Sequence, residues 1–363
     1  NISMKGLKKN FLRPHVLIVG AGIIGKFNAL ELSELGYEVT IVDPNLSKNS
    51  SSAALGLLMG NIYQKRKGRS WELRKQSLEL WPKWIRFFQK FNKLLTIEKP
   101  LIQLTKNEEK FEKLKLFVGK NPNQGLEILG ENSILIQNIN AILETNNLKG
   151  IISFKDGKIN PKSLLDTINF LLENKKINFI KDEILKIQKI KQQWVATLRK
   201  NNSIKSDAVI LCNSLSAINL INQEQHKIQL KPVLGQAIEI YSDKKEINFC
   251  LLPKHFNIDG KNLLPVSKNK IIIGSTDEYH DKPREDFFEQ LTEFIENKPN
   301  WLTKKNITRK WYGIRSRPEG ESSPVQRNLG EGLILCTGFY KNGFLLAPAC
   351  SIWVANELME FFN

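Results

Sequence analysis

The sequence predicts an α/β fold, because helices and strands are mixed along the chain and its first elements form a β-α-β unit. The apolar run 16–19 reads as a buried strand and leads into Gly20-Ala21-Gly22-Ile23-Ile24-Gly25. A helix over 26–35 follows, and 37–42 reads as a second strand that ends at Asp43. A G-x-G-x-x-G turn between a strand and a helix is typical of a Rossmann-like dinucleotide-binding domain.

The residues of this turn each suit one requirement of nucleotide binding. Gly20 permits the tight turn, Gly22 lets the backbone approach a pyrophosphate, and Gly25 lets the helix pack closely on the strand. Ile23 and Ile24 lie at the helix N-terminus, whose free N–H groups can bind phosphate oxygens. The turn therefore predicts a bound dinucleotide.

Asp43 ends the second strand, where a carboxylate can accept hydrogen bonds from a ribose 2′-hydroxyl and repel a 2′-phosphate. FAD or NAD is therefore favoured over NADP. The alternative is a glycine turn that binds no ligand. It explains a lone glycine motif, but it does not explain the whole series of strand, turn, helix, strand and acid.

The composition is that of a globular chain with an excess of basic residues. Its 363 residues predict two domains, and 41% hydrophobic residues give no sign of disorder. The formal charge of +17 arises from 54 Lys and Arg against 37 Asp and Glu. Such a charge can attract nucleic acid or an acidic surface. The lysines are scattered among Asn and Ile without a basic block, so we expect no specific nucleic-acid partner.

The four cysteines show no metal-ligand spacing, so we expect no metal site and mostly buried, reduced thiols at Cys212, Cys250, Cys336 and Cys350. The basic segment 5–13 and the apolar residues after it resemble a signal peptide, but those apolar residues form the first predicted strand. No apolar run looks long enough to span a bilayer, and the expected location is cytoplasmic.

The remaining elements are predicted from hydrophobic periodicity and turn residues. An aromatic helical stripe over 71–91, interrupted by Pro82, is expected to belong to the core. The other predicted elements are a helix over 161–172, strands over 177–180, 184–190, 194–198 and 208–212, strands of a second sheet near 228–240 and 270–273, and a closing strand over 333–336 followed by an apolar helix from about residue 344.

Motifs spread over nearly the whole chain resemble those of one enzyme family. The segments are Gly20 to Gly25 with Asp43, Ser51 to Gly56, Ile184, Lys231 to Gln236, Leu263 to Pro265, Ile273 to Thr276, Trp311 to Arg315, and Gly338 to Gly343 with Phe344 to Pro348. Together they resemble the flavin-dependent D-amino-acid oxidase superfamily, most closely its glycine oxidase and sarcosine oxidase-like members. The resemblance implies FAD as the cofactor.

The resemblance also implies how the chain is divided and where FAD binds. The FAD-binding domain would comprise 14–95, 150–225 and 308–363, and a mainly antiparallel substrate domain would comprise 96–149 and 226–307. Besides the ADP site at the glycine turn and Asp43, the implied FAD-binding residues are Ser52, Ala53, Ala54 and Gly56 against the flavin ring, Ile184 at the adenine, Gly313 on the later strand, and Gly338, Asn342, Gly343 and Phe344 beside the ring.

The resemblance places the substrate at four further residues. Arg315, in a G-x-R strand, would hold the substrate carboxylate as a planar fork of donors. Arg317 is the alternative, because the segment before Pro324 is one residue longer than expected. Lys341 stands where glycine oxidases commonly have arginine, and Asn262 stands where an active-site tyrosine is expected.

The implied reaction is oxidation of the C–N bond of glycine, sarcosine or a small D-amino acid to an imine by hydride transfer, followed by hydrolysis. The imine could instead feed thiazole assembly in thiamine synthesis. Oxygen, a quinone or a carrier would accept the electrons, and a homo-oligomer is possible. Two alternatives stay open: an inactive flavin-binding interaction subunit, and action on a glycine-like group of transfer RNA, which predicts salt-sensitive RNA binding.

Overall fold

The computed structural model describes residues 13–44, 50–175 and 177–363. The basic segment that resembled a signal peptide lies outside the described residues, apart from Arg13. The strands are β1 (His15–Val19), β2 (Glu38–Val42), β3 (Leu57–Leu58), β4 (Leu101–Thr105), β5 (Leu126–Leu129), β6 (Lys149–Ser153), β7 (Gly157–Lys158), β8 (Asn178–Ile180), β9 (Ile184–Ile190), β10 (Gln193–Leu198), β11 (Ser203–Ser206), β12 (Ala208–Leu211), β13 (Leu230–Tyr241), β14 (Phe256–Ile258), β15 (Lys261–Ser267), β16 (Lys270–Gly274), β17 (Ile307–Pro318), β18 (Val325–Asn328) and β19 (Leu333–Thr337). The α-helices are α1 (Ile23–Glu34), α2 (Ser50–Ala53), α3 (Arg69–Phe88), α4 (Glu108–Lys120), α5 (Ile134–Leu143), α6 (Pro161–Asn174), α7 (Gln223–His226), α8 (Phe287–Thr292) and α9 (Gly343–Phe362).

The first sheet is mainly parallel and has the order β18-β19-β12-β1-β2-β8. β1 pairs in parallel with β2 and β12, and β19 pairs in parallel with β12. Successive β1 side chains pack into different hydrophobic clusters on the two faces of the sheet. Val16 and Ile18 belong to one cluster, and Leu17 and Val19 belong to the other. Burial on both faces explains why β1 has no polar alternation. This sheet confirms the predicted Rossmann-like domain.

The second sheet has the order β17-β13-β16-β15-β14-β4-β6-β5. It is mainly antiparallel, which confirms the predicted antiparallel sheet beside the Rossmann-like domain. Only its β14–β4 pair is parallel among the described strands. Ile238, Ile273 and Leu263 lie on the face that packs into one hydrophobic cluster with α5 and α8. The residues that alternate with them lie on the opposite face, which meets the first domain. The exact domain boundaries remain a prediction. β6 and β17 pair within this second sheet, although most of their residues fall in the ranges expected for the FAD-binding domain.

The last strand and helix complete the first domain. β19 pairs with β12, and α9 packs against α1 and α3. The Trp81 indole N–H of α3 donates to the Leu345 carbonyl of α9 (3.0 Å). The aromatic stripe of α3 is core, as predicted, but the helix runs unbroken through Pro82. Trp81, Ile85 and Phe88 are buried on either side of the proline, and their packing sustains the helix.

Helix α9 differs from the expectation that no apolar segment can span a bilayer. Residues Gly343–Phe362 are long and apolar enough by length and composition, with a hydropathy of 1.2. The sequence analysis missed this apolar segment because Pro348, small residues and two acidic residues interrupt it. However, 61% of the apolar window is buried against the rest of the chain, as in the core helix of a globular domain.

The four cysteines are free thiols. Cys336 and Cys350 are buried and Cys212 is partly buried, whereas Cys250 is exposed, because its short 3-10 turn leaves it at the surface. In the described part of the chain, no group of three or more His, Cys, Asp or Glu side chains has an arrangement that suits a metal ion.

Candidate functional site

The glycine turn between β1 and α1 requires glycine for backbone reasons. Gly20 has a φ of +103°, and a Cβ there would lie 2.7 Å from the Cys212 carbonyl oxygen. A Cβ on Gly25 would lie 1.9 Å from the Gly20 carbonyl oxygen. Larger residues would therefore force the helix away from the sheet. The turn has the compact geometry that lets a helix N-terminus face a ligand.

Two polar side chains converge on the start of α1. The Ile23 N–H donates to the Ser51 hydroxyl (2.9 Å), and the Ala21 N–H donates to the Asp43 carboxylate (2.8 Å). A Cβ on Gly22 would meet the Ser51 hydroxyl at 2.9 Å. Ser51 was not among the predicted site residues, although it belongs to the motif that was recognised. The donor N–H groups and the acidic Asp43 fit the phosphate and ribose of a dinucleotide.

Helix α2 and residues 54–56 connect the two sheets. The Trp311 indole N–H of β17 donates to the Ala53 carbonyl (3.0 Å). A Cβ on Gly274 of β16 would lie 2.9 Å from a Leu55 methyl group. Gly56 has a φ of +75°, and a Cβ there would collide with the Ile159 carbonyl oxygen at 2.0 Å. Gly56 is therefore required for close backbone packing, whatever its role toward a flavin.

The C-terminal turn lies beside the glycine turn. A Cβ on Gly343, the first residue of α9, would lie 3.6 Å from the Ile23 side chain, the first residue of α1. Two helix N-termini therefore meet at one place, and both offer partial positive charge. Gly338 has a φ of +66°. Phe344 is buried, and Asn342 precedes the helix as its N-terminal cap residue.

The face of the second sheet that meets α2 has small residues at its centre. Asn262, Gly274, Ala237 and Trp311 lie in one row across four strands, from β15 to β17. On the neighbouring row Gly313 of β17 pairs with a second glycine, Gly235 of β13. Side chains from elsewhere lie over two of these glycines: Leu55 over Gly274 and Arg315 over Gly235. Two arginines, Arg315 and Arg317, follow Gly313 on the same face of β17.

Arg315 is held firmly on this face of the sheet. Its Nε donates to the Val233 carbonyl (3.3 Å), and its Nη2 donates to the carbonyls of Leu234 (3.3 Å) and Thr276 (2.5 Å). Its Nη1 lies 3.1 Å from Asp277 Oδ1. The guanidinium lies directly over Gly235, where a Cβ would be 2.3 Å from Nη2.

Asp277 joins Arg315 to Lys341 and was not predicted from the sequence. Lys341 Nζ donates to Asp277 Oδ2 (2.9 Å). Burial alone would raise the pKa of Asp277, but Lys341 and then Arg315 lower it below its ordinary value. Burial lowers the pKa of Lys341, and Asp277 opposes that shift. No sequence motif marked Asp277, because it contributes only through the side chains that the fold brings to it.

Arg317 lies two residues beyond Arg315 on the same face of β17 and is exposed. Its guanidinium carbon lies 5.6 Å from the Tyr279 ring centroid and 5.7 Å from the Tyr340 ring centroid. These distances suit cation–π contacts. Within the described residues, no acidic side chain forms an ion pair with Arg317.

Asn262 is oriented by two neighbours. Its Oδ1 accepts hydrogen bonds from His255 Nε2 (2.9 Å) and Asn257 Nδ2 (3.0 Å). Its amide nitrogen is therefore left to serve as a donor. Burial lowers the pKa of His255 to about 4, so the ring is neutral at pH 7. Because Asn262 Oδ1 can only accept, the ring proton is assigned to Nε2.

The structure thus brings most of the predicted residues to one region. The glycine turn, residues 51–56, the C-terminal turn and the β17 face are linked through Gly343 to Ile23, Trp311 to Ala53, and Lys341 to Asp277. Ile184 begins the separate hairpin sheet β9–β11 and is buried. Its contact with adenine remains a prediction.

Comparisons with known proteins give a consistent family. The profile of the FAD dependent oxidoreductase family, DAO, matches residues 15–357. The bifunctional protein ThiO/ThiG of Nostoc sp. is 24% identical over 95% of this chain, which covers 52% of that relative. The chain therefore spans about half the length of the curated relatives it matches.

Solved structures share the fold at low sequence identity. Glycine oxidase from Geobacillus kaustophilus has a TM-score of 0.81 at 21% identity, over 96% of this chain and 95% of that chain. Glycine oxidase from Bacillus cereus has a TM-score of 0.81 at 20% identity, with the same coverage. L-proline dehydrogenase from P. horikoshii has a TM-score of 0.76 at 17% identity, over 96% and 94% of the two chains.

Proposed function

Because the chain belongs to the DAO family of FAD-dependent oxidoreductases, we propose that it oxidises the C–N bond of a small amino acid or N-methyl amino acid to an imine. Glycine, sarcosine and small D-amino acids are the proposed substrates. FAD is the cofactor, as in the family, and the imine hydrolyses to an oxo acid and ammonia or an amine.

One observation carries the proposal: arginines of β17 lie on the sheet face that meets both α2 and the C-terminal turn. A guanidinium beside a flavin site is suited to bind a carboxylate through paired hydrogen bonds. The paired glycines Gly235 and Gly313 lie on the same face, and the missing side chain of Gly235 lets Arg315 lie against the sheet there. A carboxylate anchor on the face that meets the proposed flavin site is what a small amino acid requires.

The chain's residues supply a place for each part of FAD. The start of α1, with Ser51, would bind the pyrophosphate, and Asp43 would bind the ribose. Residues 52–56 and the start of α9 would lie against the ring, where the helix N-terminus stabilises negative charge. When bound, FAD supplies the hydride acceptor.

The protein's contribution to the reaction is mainly orientation. An arginine on β17 fixes the substrate carboxylate, and the Asn262 amide can donate a further hydrogen bond. Holding both ends of a small substrate aligns its reacting carbon with the hydride acceptor. Such orientation can contribute several kcal/mol to lowering the barrier. The neutral amine supplies the electron pair, so the residues here need hold no strong base.

The test is an anaerobic titration of the FAD-loaded protein with glycine, sarcosine and D-alanine, followed by visible absorption of the flavin. Bleaching by at least one amino acid, with no bleaching by glycolate as a control, is the expected result. Dithionite must reduce the flavin in the same sample, which shows that the bound flavin is competent. A spectrum that all three amino acids leave unchanged would contradict the proposal and favour an inactive flavin-binding subunit.

The electron acceptor is a second question, because the fold is shared with both oxidases and a dehydrogenase. We propose oxygen as the acceptor and a quinone or carrier as the alternative. The substrate-reduced protein is mixed with aerated buffer or, anaerobically, with a soluble quinone. Rapid return of the flavin colour in air supports the oxidase, whereas return with quinone alone indicates a dehydrogenase.

A further inference from the structure

We propose that Asp277 is a specificity-determining residue, whose carboxylate occupies Arg315 and Lys341 so that a substrate carboxylate binds at Arg317. The inference rests on the proposed function for the class of substrate. It concerns where the carboxylate binds, and it can be tested without turnover.

Asp277 lies where two cations would otherwise receive an anion. Its Oδ1 is 3.1 Å from Arg315 Nη1, and its Oδ2 accepts from Lys341 Nζ at 2.9 Å. An arginine has five N–H groups. In Arg315, one on Nε and two on Nη2 donate to backbone carbonyls, and Nη1 faces Asp277. The two remaining N–H groups, on Nη1, lie against the Asp277 carboxylate, whose negative charge disfavours a second carboxylate there.

Displacing Asp277 would be unfavourable. Its side chain is about one-third exposed, and Lys341 and Arg315 keep its pKa low despite its burial, so it is an anion at neutral pH. If a substrate carboxylate bound Arg315 and Lys341, the Asp277 carboxylate would be left partly buried, without a cation and close to a second negative charge. The pair Arg315 and Lys341 is therefore closed to a simple carboxylate.

Arg317 offers what Arg315 lacks. Its guanidinium is exposed and lies against the rings of Tyr279 and Tyr340, which position it without using its N–H groups. Its cross-strand neighbour Lys231 is already paired with Glu319 (2.6 Å). Of the cations at this end of the face, Arg317 is the one best prepared to bind a carboxylate.

The experiment measures acetate binding to the FAD-loaded protein at constant ionic strength. Binding is followed by the visible spectrum of the flavin and by thermal stabilisation. Acetate has no amine, so failure of amino-acid oxidation would not affect this result. We expect Arg317→Gln to weaken acetate binding by about tenfold or more, as for loss of a charged hydrogen bond. Lys231→Gln is the matched control and should change the affinity less than about threefold, since Lys231 is paired with Glu319.

A double-mutant cycle gives the decisive result. Asp277→Asn frees Arg315 and Lys341, so acetate should bind about tenfold more tightly. In that background Arg317→Gln should cost less than about threefold, because the carboxylate can use the freed pair. Equal costs of Arg317→Gln in both backgrounds would overturn the proposal, as would an Asp277→Asn holoenzyme that binds acetate no better than wild type.

A second variant keeps the proposal testable if Asp277→Asn does not fold. Lys341→Gln removes one cation of the occupied pair. If the carboxylate binds at Arg317, the acetate affinity should change less than about threefold. A loss of about tenfold or more would show that Lys341 binds the carboxylate itself and would overturn the proposal.

Discussion

At the scale of single residues, the absence of one methyl group positions a charged side chain. The Arg315 guanidinium lies on Gly235, and a Cβ there would be 2.3 Å from Nη2. Gly235→Ala should therefore push Arg315 away from the carbonyls of Leu234 and Thr276. Overpacking of this kind should lower the free energy of unfolding by about 1–3 kcal/mol in urea titrations.

Gly119→Ala is the matched control for this substitution. Gly119 lies in α4, and among the described residues beyond its own turn of helix no atom lies within 4 Å of an added Cβ. Alanine favours a helix over glycine, so this variant should be unchanged or more stable by up to about 1 kcal/mol. If Gly235→Ala were as stable as Gly119→Ala, Arg315 would not depend on the space above Gly235.

His255 links pH to stability. The ring is fully buried, its Nδ1 has no hydrogen-bond partner among the described residues, and burial lowers its pKa from 6.5 to about 4. Above pH 6.5 the histidine is neutral in both states, and its contribution is complete. As the pH falls from 6.5 toward 4, the unfolded chain gains a proton that the folded chain does not, so stability is lost. The shift corresponds to about 3 kcal/mol.

This pH dependence is measured as the free energy of unfolding of wild type minus that of His255→Asn between pH 7 and pH 4. We expect the difference to shrink toward acid pH, because asparagine does not titrate. His226→Asn, in the short helix α7, is the control for replacing a histidine that is not buried. A parallel slope in wild type and His255→Asn would show that His255 does not remain neutral in the fold.

At the scale of elements, a hydrogen bond joins β17 of the second sheet to helix α2. The Trp311 indole donates to Ala53, beside the residues proposed to contact the flavin ring. Trp311→Phe keeps an aromatic ring but leaves this carbonyl without its donor. A neutral hydrogen bond contributes about 0.5–1.5 kcal/mol, so the Kd for FAD should rise by about two- to tenfold.

Trp301→Phe removes an equivalent hydrogen bond in another place. Its indole donates to the Ile142 carbonyl (2.9 Å) in the core of the second sheet, apart from α2. This variant should lose stability but keep its FAD affinity within about twofold. Equal effects of both variants on FAD binding, measured by fluorescence titration, would show that the Trp311 contact has no special role at the flavin.

At the scale of the whole molecule, sequence reasoning succeeded where information was local. The glycine turn and β2 were predictable because each depends on neighbouring residues and on hydrophobic periodicity. The pairing of Asp277 with Arg315 and Lys341 was not predictable. Those residues lie on separate elements, and side-chain packing rather than spacing brings them together. The unbroken course of α3 through Pro82 likewise depends on tertiary packing that overrides a local preference.

The completion of the first domain by its last helix gives a prediction for the whole chain. Helix α9 packs against α1 and α3, and its start lies beside the glycine turn. If α9 is a core helix, a charge on its buried side should disrupt the domain. Leu358 is fully buried and its neighbour Met359 is 38% exposed, so the two positions form a matched pair.

Leu358→Lys should therefore lose FAD and unfold at lower temperature, because burying a lysine without a partner costs several kcal/mol. Met359→Lys should keep FAD and change stability by about 0.5 kcal/mol or less, as is usual for surface substitutions. FAD content by absorbance and the melting temperature check both. If α9 instead crossed a membrane, either lysine would disturb membrane association and neither would remove FAD. That outcome would contradict the packing of α9 in the first domain.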